Sequence, residues 1–402
     1  MSGRTLGARI GLGLGLALLP ALAPAAPHLP PSDASVVETL PIRYDPALAA
    51  LQPLRAALQR QPGELAPSLN LARAYIAAAR RNADPRFLGY AQATLSAWPQ
   101  GAGAPLDVRV LRATILQSLH QFDAALAELD AVLAVRPGHA QALLTRATIL
   151  QVRGRFVEAQ RDCGALLRTA GEVSAALCLA SVAGVTGREA SAQALARHAL
   201  ADAPVSEGAL QVWAHTMLAE ISARAGELAA ADGEFQVALR LDPTDHYARS
   251  AYCDFLLDHG RAQRVLDLTA PFTRDDNLLL RRALAWQALA SAPDATDAVQ
   301  EHARARSELA AAVGQLRERH AAALWRGDRT HLREAARFNL FLLHDADTAL
   351  RLARENWLNQ KEPADARILL EAAAAAHDAT QRGQLLAWVR NTGLRDVQLV
   401  AR

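Results

Sequence analysis

The hexapeptide Arg112-Ala113-Thr114-Ile115-Leu116-Gln117 returns unchanged as Arg146-Ala147-Thr148-Ile149-Leu150-Gln151. Phe122 and Phe156, Ala125 and Ala159, and Leu133 and Leu167 keep the offset between the two copies. Glycines extend the series at a similar spacing, at Gly154, Gly187, Gly226 and Gly260. A hexapeptide identity followed by matches in phase marks a duplicated unit. A unit this short cannot bury both its faces alone, so copies must stack into an array rather than close separately into domains.

The unit should be helical. The 402 residues include 90 alanines and only 5% aromatic residues, which favours helix and argues against a large sheet. With 51% hydrophobic and 21% charged residues, large-scale disorder is excluded. The chain carries 42 Arg but a single Lys, Lys361, and a formal charge of +2. Both surplus charges, Arg4 and Arg9, lie within residues 1–25, so the remainder is neutral. A neutral body gives no support for binding nucleic acid or an anionic membrane.

The repeat resembles the tetratricopeptide repeat, whose period of about 34 residues equals the offset between the two hexapeptides. Ala72, Ala113, Ala147, Ala180, Ala219 and Cys253 match the small residue of its first helix. Ala125, Ala159, Ala192 and Ala231 match the alanine that opens its second helix, with Leu129 and Phe235 as larger partners. Pro99, Pro137, Pro204 and Pro243 match its closing proline, and Gly226 through Pro243 fits the motif best. Small residues at these positions let two antiparallel helices approach closely, and proline ends the second helix because it lacks the N–H donor. The resemblance implies an all-α, right-handed α-solenoid of stacked helix hairpins.

Hairpins are predicted near 65–99, 106–137, 140–171, 173–204, 212–243 and 246–271. Beyond residue 271 the motif loosens. A helix pair is predicted over 277–291 and 295–325, and a further hairpin over 332–363, with Glu362-Pro363 closing a helix that carries Trp357. A last pair is expected at 366–376 and 379–391. The chain thus divides into residues 1–25, a proline-rich linker or arm over 26–45, a regular solenoid over 46–271, and divergent helical repeats over 272–402.

Residues 1–25 read as a secretory signal peptide. Arg4 and Arg9 precede an apolar run from Ile10 to Leu22, and Ala23-Pro24-Ala25 fits the small-x-small rule for cleavage before Ala26. The run is shorter than the roughly 20 residues of a membrane span. The mature protein is therefore expected to be exported, periplasmic or secreted, and not membrane-spanning. Three cysteines in an oxidising compartment are an odd count. Cys163 and Cys178 fall on neighbouring helices, where a bridge could form and would contribute roughly 3 kcal/mol. The other reading is three small buried hydrophobes, which suits Cys253 at a helix crossing.

Signatures of catalysis are missing. The sequence has no phosphate-binding loop, no His-Glu-x-x-His helix and no Gly-x-Ser-x-Gly elbow. None of its twelve histidines stands three or four positions from another. Arg326-Gly327-Asp328 reads as a turn between helices. No cofactor and no metal are expected, and the protein is not expected to be an enzyme.

In proteins that it resembles, first helices line a concave groove that binds peptides. The positions facing inward here are Thr114 and Gln117, Thr148 and Gln151, then Trp213, Thr216, Glu220 and Arg224, and Tyr247 and Asp254. This wall is neutral to acidic. It lacks the Lys, Arg and Asn clamp with which one subclass holds C-terminal carboxylates. The expected role is an exported scaffold that binds a protein or peptide partner in this groove. The alternatives are a self-associating envelope component, which would make the chain a homo-oligomer, and an enzyme with an unrecognised site in 272–402. The proline-rich arm is a further candidate to occupy the groove.

Overall fold

The computed structural model describes residues 46–202, 208–272, 275–291 and 299–400. The expected signal peptide, its cleavage point and the proline-rich arm lie outside the described residues. From Pro46 onward the chain forms one compact unit. No strand occurs among the described residues, and none of their helices is long and apolar enough to cross a membrane.

Helices α1 (Pro46–Ala50) and α2 (Gln52–Arg60) lead into a stack of hairpins. The first six are α3 (Leu65–Asn82) with α4 (Arg86–Leu95), α5 (Leu106–Ser118) with α6 (Phe122–Val135), α7 (Ala140–Val152) with α8 (Phe156–Leu166), α9 (Glu172–Gly184) with α10 (Glu189–Asp202), α11 (Gly208–Ala225) with α12 (Leu228–Leu241), and α13 (His246–Asp258) with α14 (Ala262–Thr269). Three more follow: α15 (Asp276–Ala290) with the long α16 (Val299–Trp325), α17 (Leu332–Arg337) with α18 (Ala346–Asn359), and α19 (Pro363–Ala375) with α20 (Ala379–Thr392). The short α21 (Val397–Val400) ends the described chain. The fold is an all-α solenoid of stacked helix hairpins.

The repeat explains why these helices form and pair. Ala113, Ala125, Ala159, Ala180, Ala192, Ala219, Ala231 and Cys253 have no accessible surface, and Ala147 has 1%. Each sits where a larger side chain would hold two helices apart. The turns close alike: the N–H of Gln121, Arg155, Arg188, Glu227, Arg261 and Asp378 each donates to the carbonyl five residues earlier. This bond is that of a Schellman cap, which needs a left-handed residue at the turn. Gly154 supplies it at φ 74°, and His120, one period earlier, takes φ 55° in its place.

One local expectation is corrected. Pro363 opens α19 instead of closing the preceding helix, which ends at Asn359. Glu362 is the N-cap and forms a capping box with Asp365. Proline is tolerated there because the N–H it lacks has no partner within a helix.

The solenoid winds tightly enough for its second turn to rest on its first. The Lys361 backbone N–H donates to the Val152 carbonyl at 2.7 Å. Arg153 donates to Asn359 at 2.7 Å, and Gln360 to His120 at 3.3 Å. Trp388 stacks edge-on against Trp357 and touches Phe156 of the third hairpin. Gly187 lies so close to Gly393 that an added Cβ would stand 2.5 Å from its carbonyl oxygen. His246 likewise ties the sixth hairpin to the first, through the Arg81 carbonyl at 3.0 Å.

Candidate functional site

Because first helices face inward and the second turn rests on the first, the solenoid forms a half-open lumen of about 700 Å³. Its walls come from the end of α3 and from α7, α9, α11, α13, α15, α17 and α19. A π-helical stretch, Phe338–Leu342, extends α17 and brings Phe341 to the same wall, its carbonyl accepting from Gln287 at 2.7 Å.

Seven of the ten groove residues read from sequence line this lumen: Gln151, Trp213, Thr216, Glu220, Arg224, Tyr247 and Asp254. Thr114, Gln117 and Thr148 do not line it, and the hydroxyls of Thr114 and Thr148 bond carbonyls of their own helices. Several of the seven are already engaged. Gln151 accepts from Ser181 at 2.8 Å, and the buried Thr216 hydroxyl returns to the Val212 carbonyl. Asp254 receives Arg281 at 2.6 Å and Arg337 at 2.9 Å. Trp213, Glu220 and Tyr247 are grouped at one wall, and the Tyr247 hydroxyl donates to Glu220 at 2.8 Å. Tyr247 is 57% exposed, and the lumen it lines provides that exposure.

The lumen also carries cations that the groove reading did not include, although its carboxylates still outnumber them. The C-terminal hairpins add Arg333, Arg337 and Arg367 to the lumen, and α15 adds Arg281. Arg367 bonds Asp258 on α13 at 2.5 and 2.6 Å and Glu371 at 3.0 Å. Arg333 reaches Glu362 at 3.0 Å, and Glu334 and Asp365 at 3.3 Å. Sequence reading missed these arginines because they follow the loosened motif. The one available signal was the four-residue spacing of Arg333 and Arg337, which puts them on one helix face.

The electrostatics follow from these contacts. Burial works against the Asp254 carboxylate, but Arg281 and Arg337 outweigh it and hold its pKa well below the usual range. Burial opposes Glu334 in the same way, and Arg333 and Arg281 bring it down to about 2. Where cations are too few, burial wins: the Asp365 carboxyl is pushed up to about 6, and those of Asp396 and Glu220 are raised. The described residues contain no group of His, Cys, Asp and Glu arranged to hold a metal ion.

The sulfurs of Cys163 on α8 and Cys178 on α9 are joined, with the Cα atoms 5.3 Å apart. Cys253 is free and buried at a helix crossing, and burial pushes its thiol up to about 12.

No family model matches the sequence, and a search of curated proteins finds no match. Solved structures do resemble it. A tetratricopeptide repeat protein from Parabacteroides merdae ATCC 43184 is 16% identical, covering 60% of this chain and 92% of that one, with a TM-score of 0.41. A human IFIT1 dimer with m7Gppp-AAAA is 14% identical, covering 89% of this chain and 87% of that one, with a TM-score of 0.42. These likenesses concern the fold alone.

Proposed function

We propose that this chain is an exported, non-catalytic scaffold that holds a segment of a protein partner in its lumen. The observation that carries this reading is Tyr247, 57% exposed to the lumen beside Glu220, with Trp213 lining the same lumen from α11 while its other face packs on the chain's own core. Large aromatic residues left at a cavity are the usual anchors of binding sites. A lumen of about 700 Å³ suits a few residues of extended chain and excludes a folded domain. Export is supported by the layout of residues 1–25, a charged start, an apolar run and a small-x-small end. It is supported independently by the Cys163–Cys178 bridge, since disulfides persist in oxidising compartments.

The test is affinity capture from a cell-envelope extract, comparing the mature protein with a Trp213→Ala/Tyr247→Ala variant. The reading expects one or two proteins held by the parent and lost by the variant, with thermal unfolding nearly unchanged. Equal capture by both would show that the lumen is not the working surface.

A further inference from the structure

The lumen's acidic groups are matched one by one, with a single exception among the described residues. Asp254 has Arg281 and Arg337, Asp258 and Glu371 have Arg367, and Glu334 and Glu362 have Arg333. Asp275 has His246 at 2.5 Å. Asp242, Asp245 and Asp396 accept backbone N–H groups at turns and caps. Glu220 has none of these. Its hydrogen-bond partner is the neutral Tyr247 phenol, and Arg224, one turn along α11, acts on it only through its charge and donates instead to the Gly184 carbonyl at 3.1 Å.

The surroundings of Glu220 specify a complement. Tyr247 uses its one O–H on the carboxylate, which leaves the other carboxylate oxygen without a donor. Trp213 lies two helical turns before Glu220, on the same lumen-facing side of α11. The negative charge of Glu362 and the positive charge of Arg333 both act on Glu220 and Tyr247. A carboxylate with a spare acceptor, beside the Tyr247 ring and with Trp213 further along the same helix face, is chemistry for an ammonium or guanidinium group.

We propose that this corner of the lumen is a cation subsite, in which Glu220 receives the charged end of a lysine or arginine carried on the bound polypeptide segment. Trp213 and Tyr247 flank its methylene stem. The proposal rests on the reading that the lumen takes a protein segment. A side chain on a polypeptide fits better than a free amine, because the lumen far exceeds one ammonium group and continues along the apolar Met217, Phe341 and Ile368. The raised pKa of Glu220 agrees with this. Burial raises it and Glu362 adds to the effect, while Arg224, the Tyr247 hydrogen bond and Arg333 oppose it only in part. A bound cation would lower it again.

The test is calorimetric titration of the mature protein with the peptide acetyl-Ala-Lys-Ala-Leu-amide. The same peptide carrying Nε-acetyl-lysine and the free diamine putrescine are the comparison probes. Glu220→Gln keeps an acceptor for Tyr247 and removes the charge. The proposal expects the lysine peptide to bind and the acetylated one to bind at least tenfold more weakly. It also expects Glu220→Gln to lose at least tenfold with its unfolding temperature unchanged. It is overturned if neither peptide binds, or if both bind equally. Putrescine binding as tightly as the peptide and displacing it would overturn the polypeptide source. If Trp213→Ala abolishes binding and Glu220→Gln does not, the cation subsite fails while the lumen reading stands. If neither variant affects binding, both fail.

Discussion

Ala147 shows how much one side chain decides in this fold. It is 1% exposed, between Ala113 and Ala180 of the adjoining repeats in the inner layer. The approach of α7 to α8 is set by having no atom beyond Cβ at this crossing. Ala147→Trp would force the helices apart or push the indole off its rotamers, either costing at least about 1–3 kcal/mol. Chemical denaturation of the parent and variant measures it, and equal stability would show that the repeat register is wrong. Residues of this kind were legible in the sequence because duplication copied them at a fixed spacing, and because Ala and Cys253 at a crossing have one physical purpose. The roles of Thr114 and Thr148 were not legible. A hydroxyl that bonds a carbonyl of its own helix and one that offers itself to a partner look alike in sequence.

At the scale of elements, hairpin boundaries could be read from turn glycines and closing prolines, but contacts between distant hairpins could not. His246 opens α13 and fits the sequence pattern as an ordinary polar residue. In the structure its Nδ1 meets Asp275 at 2.5 Å and its Nε2 meets the Arg81 carbonyl at 3.0 Å. Both partners are acceptors, so the imidazole satisfies both only when it is doubly protonated. Burial works against that charge, but Asp275 and the Arg81 carbonyl outweigh it and raise the His246 pKa above 6.5. Asp275 is correspondingly lowered: burial opposes it, and the His246 hydrogen bond and two backbone N–H groups prevail.

The sign of the pH dependence follows. The histidine's contribution is complete below its unfolded pKa and is lost as the pH rises through its folded value. The aspartate's contribution is present above its unfolded pKa and is lost as the pH falls through its depressed one. The pair therefore stabilises most in mildly acidic solution, around pH 5. His246→Gln should lower the unfolding temperature most near that pH and progressively less toward pH 8 and above. Melting curves across that range measure the gap, and a gap that widens with pH would show that the histidine acts as a neutral group.

At the scale of the whole molecule, the deciding feature is closure, for which repeat sequence carries no signal. Arg337 and Asp254 are 83 residues apart, and Arg367 and Asp258 are 109 apart. Pairs at such separations leave no periodicity, and the looser motif beyond residue 271 concealed that these helices supply half of a wall. The seam is mixed. Two arginines of α17 and α19 hold two carboxylates of α13, with Arg153 to Asn359 and one backbone bond from Lys361 beside them. Phe156 and Val185 pack beside these contacts on the apolar side chains of α18 and α20, so the arginines cover only part of what holds the turns together.

The energetics set what should happen when the seam is weakened. A hydrogen bond to a charged group contributes about 1.5–3 kcal/mol, and the apolar cores within each hairpin do not depend on these contacts. Removing Arg337 and Arg367 together should therefore open the second turn before it unfolds any hairpin. Arg281 still neutralises Asp254 in that variant, so no bare carboxylate is left in α13 at that position. Arg337→Gln/Arg367→Gln should keep the helical content of the parent, show a larger radius of gyration by small-angle scattering, and exchange amide hydrogens faster in α19 and α20. A variant as compact as the parent, and as protected in α19 and α20, would mean that Trp388 against Phe156 and the Gly187–Gly393 contact hold the ring closed by themselves. The lumen would then have to fill from its ends instead of through the seam.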